Sequence, residues 1–194
     1  MAISVEDIRK SWERLHQEAL LATNYHMVPR RTEIESNQIP NPVLDRLLPS
    51  VLFLRIVAIF DEALEFYIDD RNIQWPSNKK RDLYNRIIVL GDSGILKDRN
   101  ECHRIRERRN ELAHEAGKFV QLNELYSCLD VVELELKNLG LVGERPKYAW
   151  FATVTPFTDP SGERLVTYSY GLKAISGLTV MDVTWTEADP LPKG

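Results

Sequence analysis

Apolar residues at Ile8, Trp12, Leu15, Ala19 and Leu20 recur every three or four positions, which predicts an amphipathic helix running to about Thr23. Ser4 serves as its N-cap, and Glu6 and Asp7 form an acidic first turn. Asn24 to Pro42 is polar and carries Pro29, Pro40 and Pro42, so a long loop is expected there. From Val43 to Tyr67 the chain is apolar on most sides, with a narrow polar stripe of Arg55, Asp61, Glu62 and Glu65. That pattern predicts a helix at the centre of a bundle, which Pro49 bends. Beyond the Trp75-Pro76-Ser77 turn, helices are expected from Lys79 to Leu90, stopped by Gly91 and Gly94, and from Asp98 to Glu115, before Gly117. A fifth runs from Leu122 to Leu139, with Leu122, Leu125, Leu129, Val132 and Leu136 on one face and Gly140 ending it.

From Tyr148 the period changes to two. YAWFATVT, RLVTYSY and LTVMDVTW read as three strands of a small antiparallel meander, with a turn between Pro156 and Gly162 and a frayed tail EADPLPKG. The fold class expected is therefore mainly α: an antiparallel bundle of about five helices over residues 1–142, then a three-stranded β appendage and tail over 143–194. Trp150, Tyr168, Tyr170 and Trp185 read as packing residues of that sheet rather than as stacking platforms for bases.

The composition narrows the function classes. A net charge of −4 argues against a chain coated in nucleic-acid-binding charge, so any RNA contact must be local. Lys97 to Arg109 supplies such a place, with six Lys or Arg against Asp98, Glu101 and Glu107. The two cysteines, Cys102 and Cys128, have no C-x-x-C spacing, which points away from a disulfide framework or zinc site and toward a reducing compartment. The N-terminus enters a charged amphipathic pattern with no apolar signal segment. The apolar runs Val51–Leu54 and Ile56–Phe60 are too short to span a membrane, so a cytoplasmic protein is expected. His16 and His26 lack companion ligands, and no HExxH, Walker or G-x-G-x-x-G pattern occurs; no metal and no cofactor are expected.

The fourth helix carries the sharpest signal, RERRNELAHE. With Arg106 set to 0° and ~100° per residue, Arg104, Glu107, Arg108, Glu111, Glu115 and Lys118 form an ordinary solvated face. Cys102, Ile105, Leu112, Ala113, Ala116 and Phe119 form the arc expected to face the bundle, and Arg109 falls at about 300°, in the middle of that arc. An inward guanidinium cannot shed its charge and requires an anion. The candidates are Glu62 or Glu65 of the second helix, a partner subunit, or a phosphate ligand. His103, Asn110 and His114 lie on the border between the two faces, and Arg55 is placed to pair with Glu62.

Arg109-Asn110-x-x-x-His114, an R-N-x3-H form of the broader R-x4-6-H pattern in the penultimate helix of a helical domain, resembles the signature of HEPN domains. The resemblance covers the helical residues and leaves the strands after Tyr148 outside it. It implies a metal-independent endoribonuclease acting as a homodimer whose motif helices meet in one cleft. It further implies that Arg109 orients the scissile phosphate, Asn110 supports that geometry and His114 handles protons. Beside these, the sequence itself offers Arg106 and His103 as rim residues that could bind substrate, and Glu62 as a residue that supports Arg109 or serves a purely structural pair. The expected partner is RNA, with an antitoxin protein as a further one and no membrane, and the expected setting is a toxin or phage-defence effector. The alternative is a non-catalytic HEPN-like module that binds nucleotide, RNA or protein. Some members continue the motif to a tyrosine that a nucleotidyltransferase modifies; here that position is Ala116.

The chemistry asks for these residue types. An attacking ribose 2′-OH must lose its proton and the leaving 5′-oxygen must gain one, which suits an imidazole that titrates near neutral pH. A planar guanidinium offers paired donors where phosphoryl charge develops.

Overall fold

The computed structural model describes residues 3–24, 42–144 and 147–175. The chain divides into two compact units, 1–144 and 145–194. Within the first, five helices are described: α1 Val5–Asn24, α2 Pro42–Asp70, α3 Leu83–Asp92, α4 Arg99–His114 and α5 Leu122–Asn138. The protein is thus mainly helical, and α2 packs against each of the other four. Its apolar residues on all sides explain that central place: Phe53, Ile56, Phe60 and Leu64 are sealed from solvent, together with Leu15 of α1, Ile87 and Leu90 of α3, and Leu125, Leu129 and Leu136 of α5. Pro49 lies inside α2, which continues through it.

Local chemistry sets the helix ends. Ser4 and Asp7 cap α1 reciprocally, the Asp7 backbone N–H donating to Ser4 Oγ at 3.2 Å while Asp7 accepts from Ser4 N at 3.0 Å. α3 starts at Leu83 rather than Lys79, because Asp82 accepts from the Asn85 backbone N–H at 2.9 Å and so fixes the first turn. It runs through Gly91 and stops at Gly94, whose φ of +68° closes a double turn with Ile95 N donating to Leu90 O at 2.9 Å. Gly91 instead lies under the Arg99 side chain. Asn72, with φ +50°, ends α2 by the same geometry, through Ile73 N to Ile68 O at 2.9 Å.

The second unit contains β1 Lys147–Thr158 and β2 Arg164–Ile175, paired antiparallel from Lys147 opposite Ile175 to Thr158 opposite Arg164. The connecting loop is organised by Asp159, whose carboxylate accepts from the Ser161 and Glu163 backbone N–H groups at 2.9 and 2.8 Å. β1 extends through Pro156, which was expected to begin the turn; in a two-stranded ribbon a proline need not break a ladder on both sides. The expected third strand, Trp185, the tail, and residues 25–41 of the first loop, His26 included, lie outside the described residues. A three-stranded meander is therefore not shown.

Among the described residues no helix is long and apolar enough to cross a membrane.

Candidate functional site on helix α4

The orientation of α4 is set at its N-terminus. Asp98 caps the helix by accepting from the Glu101 backbone N–H at 3.0 Å. Beneath it, the fully buried Glu135 of α5 accepts from the backbone N–H groups of Lys97 and Asp98, at 3.0 and 2.7 Å. A buried carboxylate is tolerated here because two main-chain donors and the positive end of α4 meet it. Further along, Arg108 donates to Glu124 of α5 at 2.5 Å, to Glu111 at 2.7 Å and to the Phe119 carbonyl at 2.9 Å. The hydrogen bond with Glu124, then that with Glu111, holds the Arg108 guanidinium above its ordinary pKa. α4 is thus pinned to α5 at both ends.

Between these anchors only Cys102 and Ile105 of α4 are buried. Leu112 is half-buried, and Ala113 and Ala116 are exposed, so the second half of the helix runs past the edge of the core. This corrects the expected position of Arg109. Its side chain is exposed, and its described hydrogen bond is Nη1 to Asn110 Oδ1 at 3.2 Å. The helical wheel placed it inward by assuming that the core continues along the whole helix.

The buried guanidinium belongs instead to Arg86 of α3, which pairs with Asp61 and, at 2.8 Å, with Glu65, both on α2. Glu65 is therefore occupied. Glu62, expected to support Arg109, is exposed and pairs with no cation among the described residues. Arg55 pairs with Glu18 of α1, not with Glu62. The α2 carboxylate that feels Arg109 is Asp61: burial raises its pKa, Arg86 counters that first by its charge and hydrogen bond, and Arg109 adds a smaller opposing charge.

The remaining expected residues share one flank. Asn110 is half-buried beside Arg109, and His114, the last residue of α4, is exposed. A turn and more toward the N-terminus, His103 and Arg106 meet an aromatic residue that sequence reasoning missed. The Arg106 guanidinium lies over the Tyr84 ring, 4.9 Å from its centre, and the His103 ring lies 5.3 Å from it. Burial, and then the Arg106 and Arg99 charges, hold the His103 imidazole below its ordinary pKa. His103 Nδ1 and Arg106 Nε are buried without a hydrogen-bond partner among the described residues. Arg109 and Asn110 are brought together, as are His103 and Arg106, whereas His114 makes no described hydrogen bond to any of them.

A groove of about 220 Å³ lies on the opposite flank, between α4 and α5, lined by Arg104, Arg108, Glu107, Glu111 and Glu124 above Ile105 and Phe53. Its arginines are already matched by carboxylates, so it offers little to a polyanion. Among the described residues no group of three His, Cys, Asp or Glu side chains is placed to hold a metal ion. Compared with protein-family models, with curated proteins and with solved structures, the chain gives no match.

Proposed function

We propose that the Arg109–His114 flank of α4 is the cleavage edge of a metal-independent endoribonuclease of HEPN type, built from two copies of the chain. One observation carries this reading. Of the arginines on α4, Arg99 is met by Asp92 at 2.5 Å, Arg104 by Glu101 and Arg108 by Glu111 and Glu124, whereas Arg109 meets a neutral amide and Arg106 only its exposed neighbour Glu107, at 3.2 Å. A surface pair of that kind is worth little. Neither guanidinium has a strong carboxylate partner: Arg106 stands on the flank that carries both imidazoles of the helix, with Arg109 next to it on the side toward Asp61, a set of charges that suits a phosphodiester backbone.

In the reaction, the ribose 2′-oxygen attacks phosphorus, the bond from phosphorus to the 5′-oxygen breaks, and the products are a 2′,3′-cyclic phosphate and a 5′-hydroxyl. Arg109 would hold the non-bridging oxygens, and its bond to Asn110 would fix the plane of the guanidinium. His114 would take the 2′-proton or supply one to the leaving oxygen. The exposed position of Arg109 removes the argument for a dimer from an inward charge. Pairing rests on the resemblance and on an exposed apolar stripe of α2, Leu47, Val51 and Leu54, at i, i+4 and i+7.

The test is incubation with mixed RNA in EDTA, beside Arg109→Ala and His114→Ala variants. Cleavage by the unaltered protein alone supports the assignment, and cleavage that survives both substitutions contradicts it. RNA binding without cleavage would favour the non-catalytic module. Toxicity on expression that His114→Ala relieves is the expected sign of an effector role.

A further inference from the structure

Tyr84 lies in the first turn of α3 at a position where the apolar stripe Leu83, Ile87 and Leu90 does not need it, and 45% of its surface remains exposed. Core packing therefore does not account for a tyrosine here. What it does hold is the other half of the α4 flank: Arg106 lies on one face of its ring, and His103 packs against it. The stacked Arg106 side chain is only 20% exposed while its ionic partner Glu107 is 62% exposed, so the guanidinium is fixed by the ring rather than by the carboxylate. His103 Nδ1 and Arg106 Nε lie sealed beside the ring, with no hydrogen-bond partner among the described residues, so it is the ring that both side chains pack on.

Resting on the ribonuclease reading, we infer that Tyr84, with Arg106 and His103, forms a stacking platform for an unpaired nucleobase of single-stranded RNA, next to the cleavage edge. An aromatic ring backed by a guanidinium presents a flat, electron-rich surface and a neighbouring positive charge, so a base stacks while its phosphate is held nearby. Neither group reads a base edge, so the platform accepts any base and favours unpaired RNA, since a duplex keeps its bases stacked internally. Arg109, Asn110 and His114 would cut; Tyr84 would seat the strand. Tyr84 is thus a positioning residue rather than a catalytic one.

The experiment measures binding of a non-cleavable 2′-O-methyl oligouridylate and of an abasic ribose-phosphate chain of equal length, for the unaltered protein, Tyr84→Ala and Tyr84→Phe, each confirmed folded by circular dichroism. The unaltered protein and Tyr84→Phe are expected to prefer the base-bearing strand by about tenfold, and Tyr84→Ala to bind both strands equally. Equal preference in Tyr84→Ala and the unaltered protein, or no preference in either, overturns the platform. Cleavage of an unmodified strand, measured alongside, reports separately on the ribonuclease reading: cleavage with a Tyr84-independent affinity leaves that reading standing without the platform, and base-dependent binding without cleavage does the reverse.

Discussion

Arg86 of α3 reaches Glu65 of α2 at 2.8 Å and closes on Asp61 beside it, so the one arginine buried among the described residues holds two helices together and is matched by two carboxylates. Of the two carboxylates expected to serve Arg109, Glu65 is thereby committed elsewhere and Glu62 is exposed, while Arg109 faces outward.

The two arginines should therefore separate cleanly in stability. Arg86→Ala strands two like charges on α2 beside an emptied site and is expected to cost about 3 kcal/mol, whereas Arg109→Ala, at an exposed position, is expected to cost under about 0.5 kcal/mol. Urea unfolding of both variants checks this; a large loss at Arg109 would return it to a structural role.

Glu135 governs the placement of the site helix. Removing its side chain in Glu135→Ala orphans the Lys97 and Asp98 amides at the start of α4 and is expected to cost about 3 kcal/mol. Glu135→Gln keeps an acceptor and should lose less. Thermal unfolding of the pair, together with amide exchange at Lys97 and Asp98, reads both effects; equal losses would show that the charge, not the hydrogen bonding, matters.

His103 sets a pH dependence of known sign. Its imidazole is held below the ordinary 6.5, by burial first and then by Arg106 and Arg99, with Glu107 opposing, so the unfolded chain takes up the proton before the folded one. This group imposes no penalty above 6.5 and a growing one as pH falls through 6.5 toward the folded-state value. His103→Gln should flatten that part of the profile relative to the unaltered protein, and parallel profiles would contradict the assignment.

Burial drives the Cys102 thiol up to about 12 and raises Cys128 as well. Neither should react with a thiol reagent at about pH 7 in the native protein, and both should react in denaturant. Rapid native labelling would mean that the α4–α5 interface opens readily.

All five described helices were legible in the hydrophobic spacing, because each buries one stripe, or in α2 most of its circumference. Their ends were less so: α3 begins at the Asp82 cap rather than at Lys79, and α2 stops at an asparagine in the conformation that glycine usually supplies. The site was half legible. The spacing of His103, Arg106, Asn110 and His114 on one flank could be read directly, but the depth of Arg109 depended on where the core ends, which a wheel does not contain. Arg86 lay in plain view between Leu83, Ile87 and Leu90, and its position in an apolar stripe was the usable signal. Tyr84 gave no periodic signal, since its role comes from a contact between two helices.

The most direct measurement takes an RNA strand that the protein cuts at one place in EDTA and replaces the single ribose on the 5′ side of that bond with 2′-deoxyribose. Cutting there is expected to stop while other riboses remain intact, and the all-ribose strand is expected to yield a 2′,3′-cyclic phosphate end by mass spectrometry. Continued cutting at the deoxy position, or a 3′-hydroxyl end, would contradict attack by the 2′-oxygen.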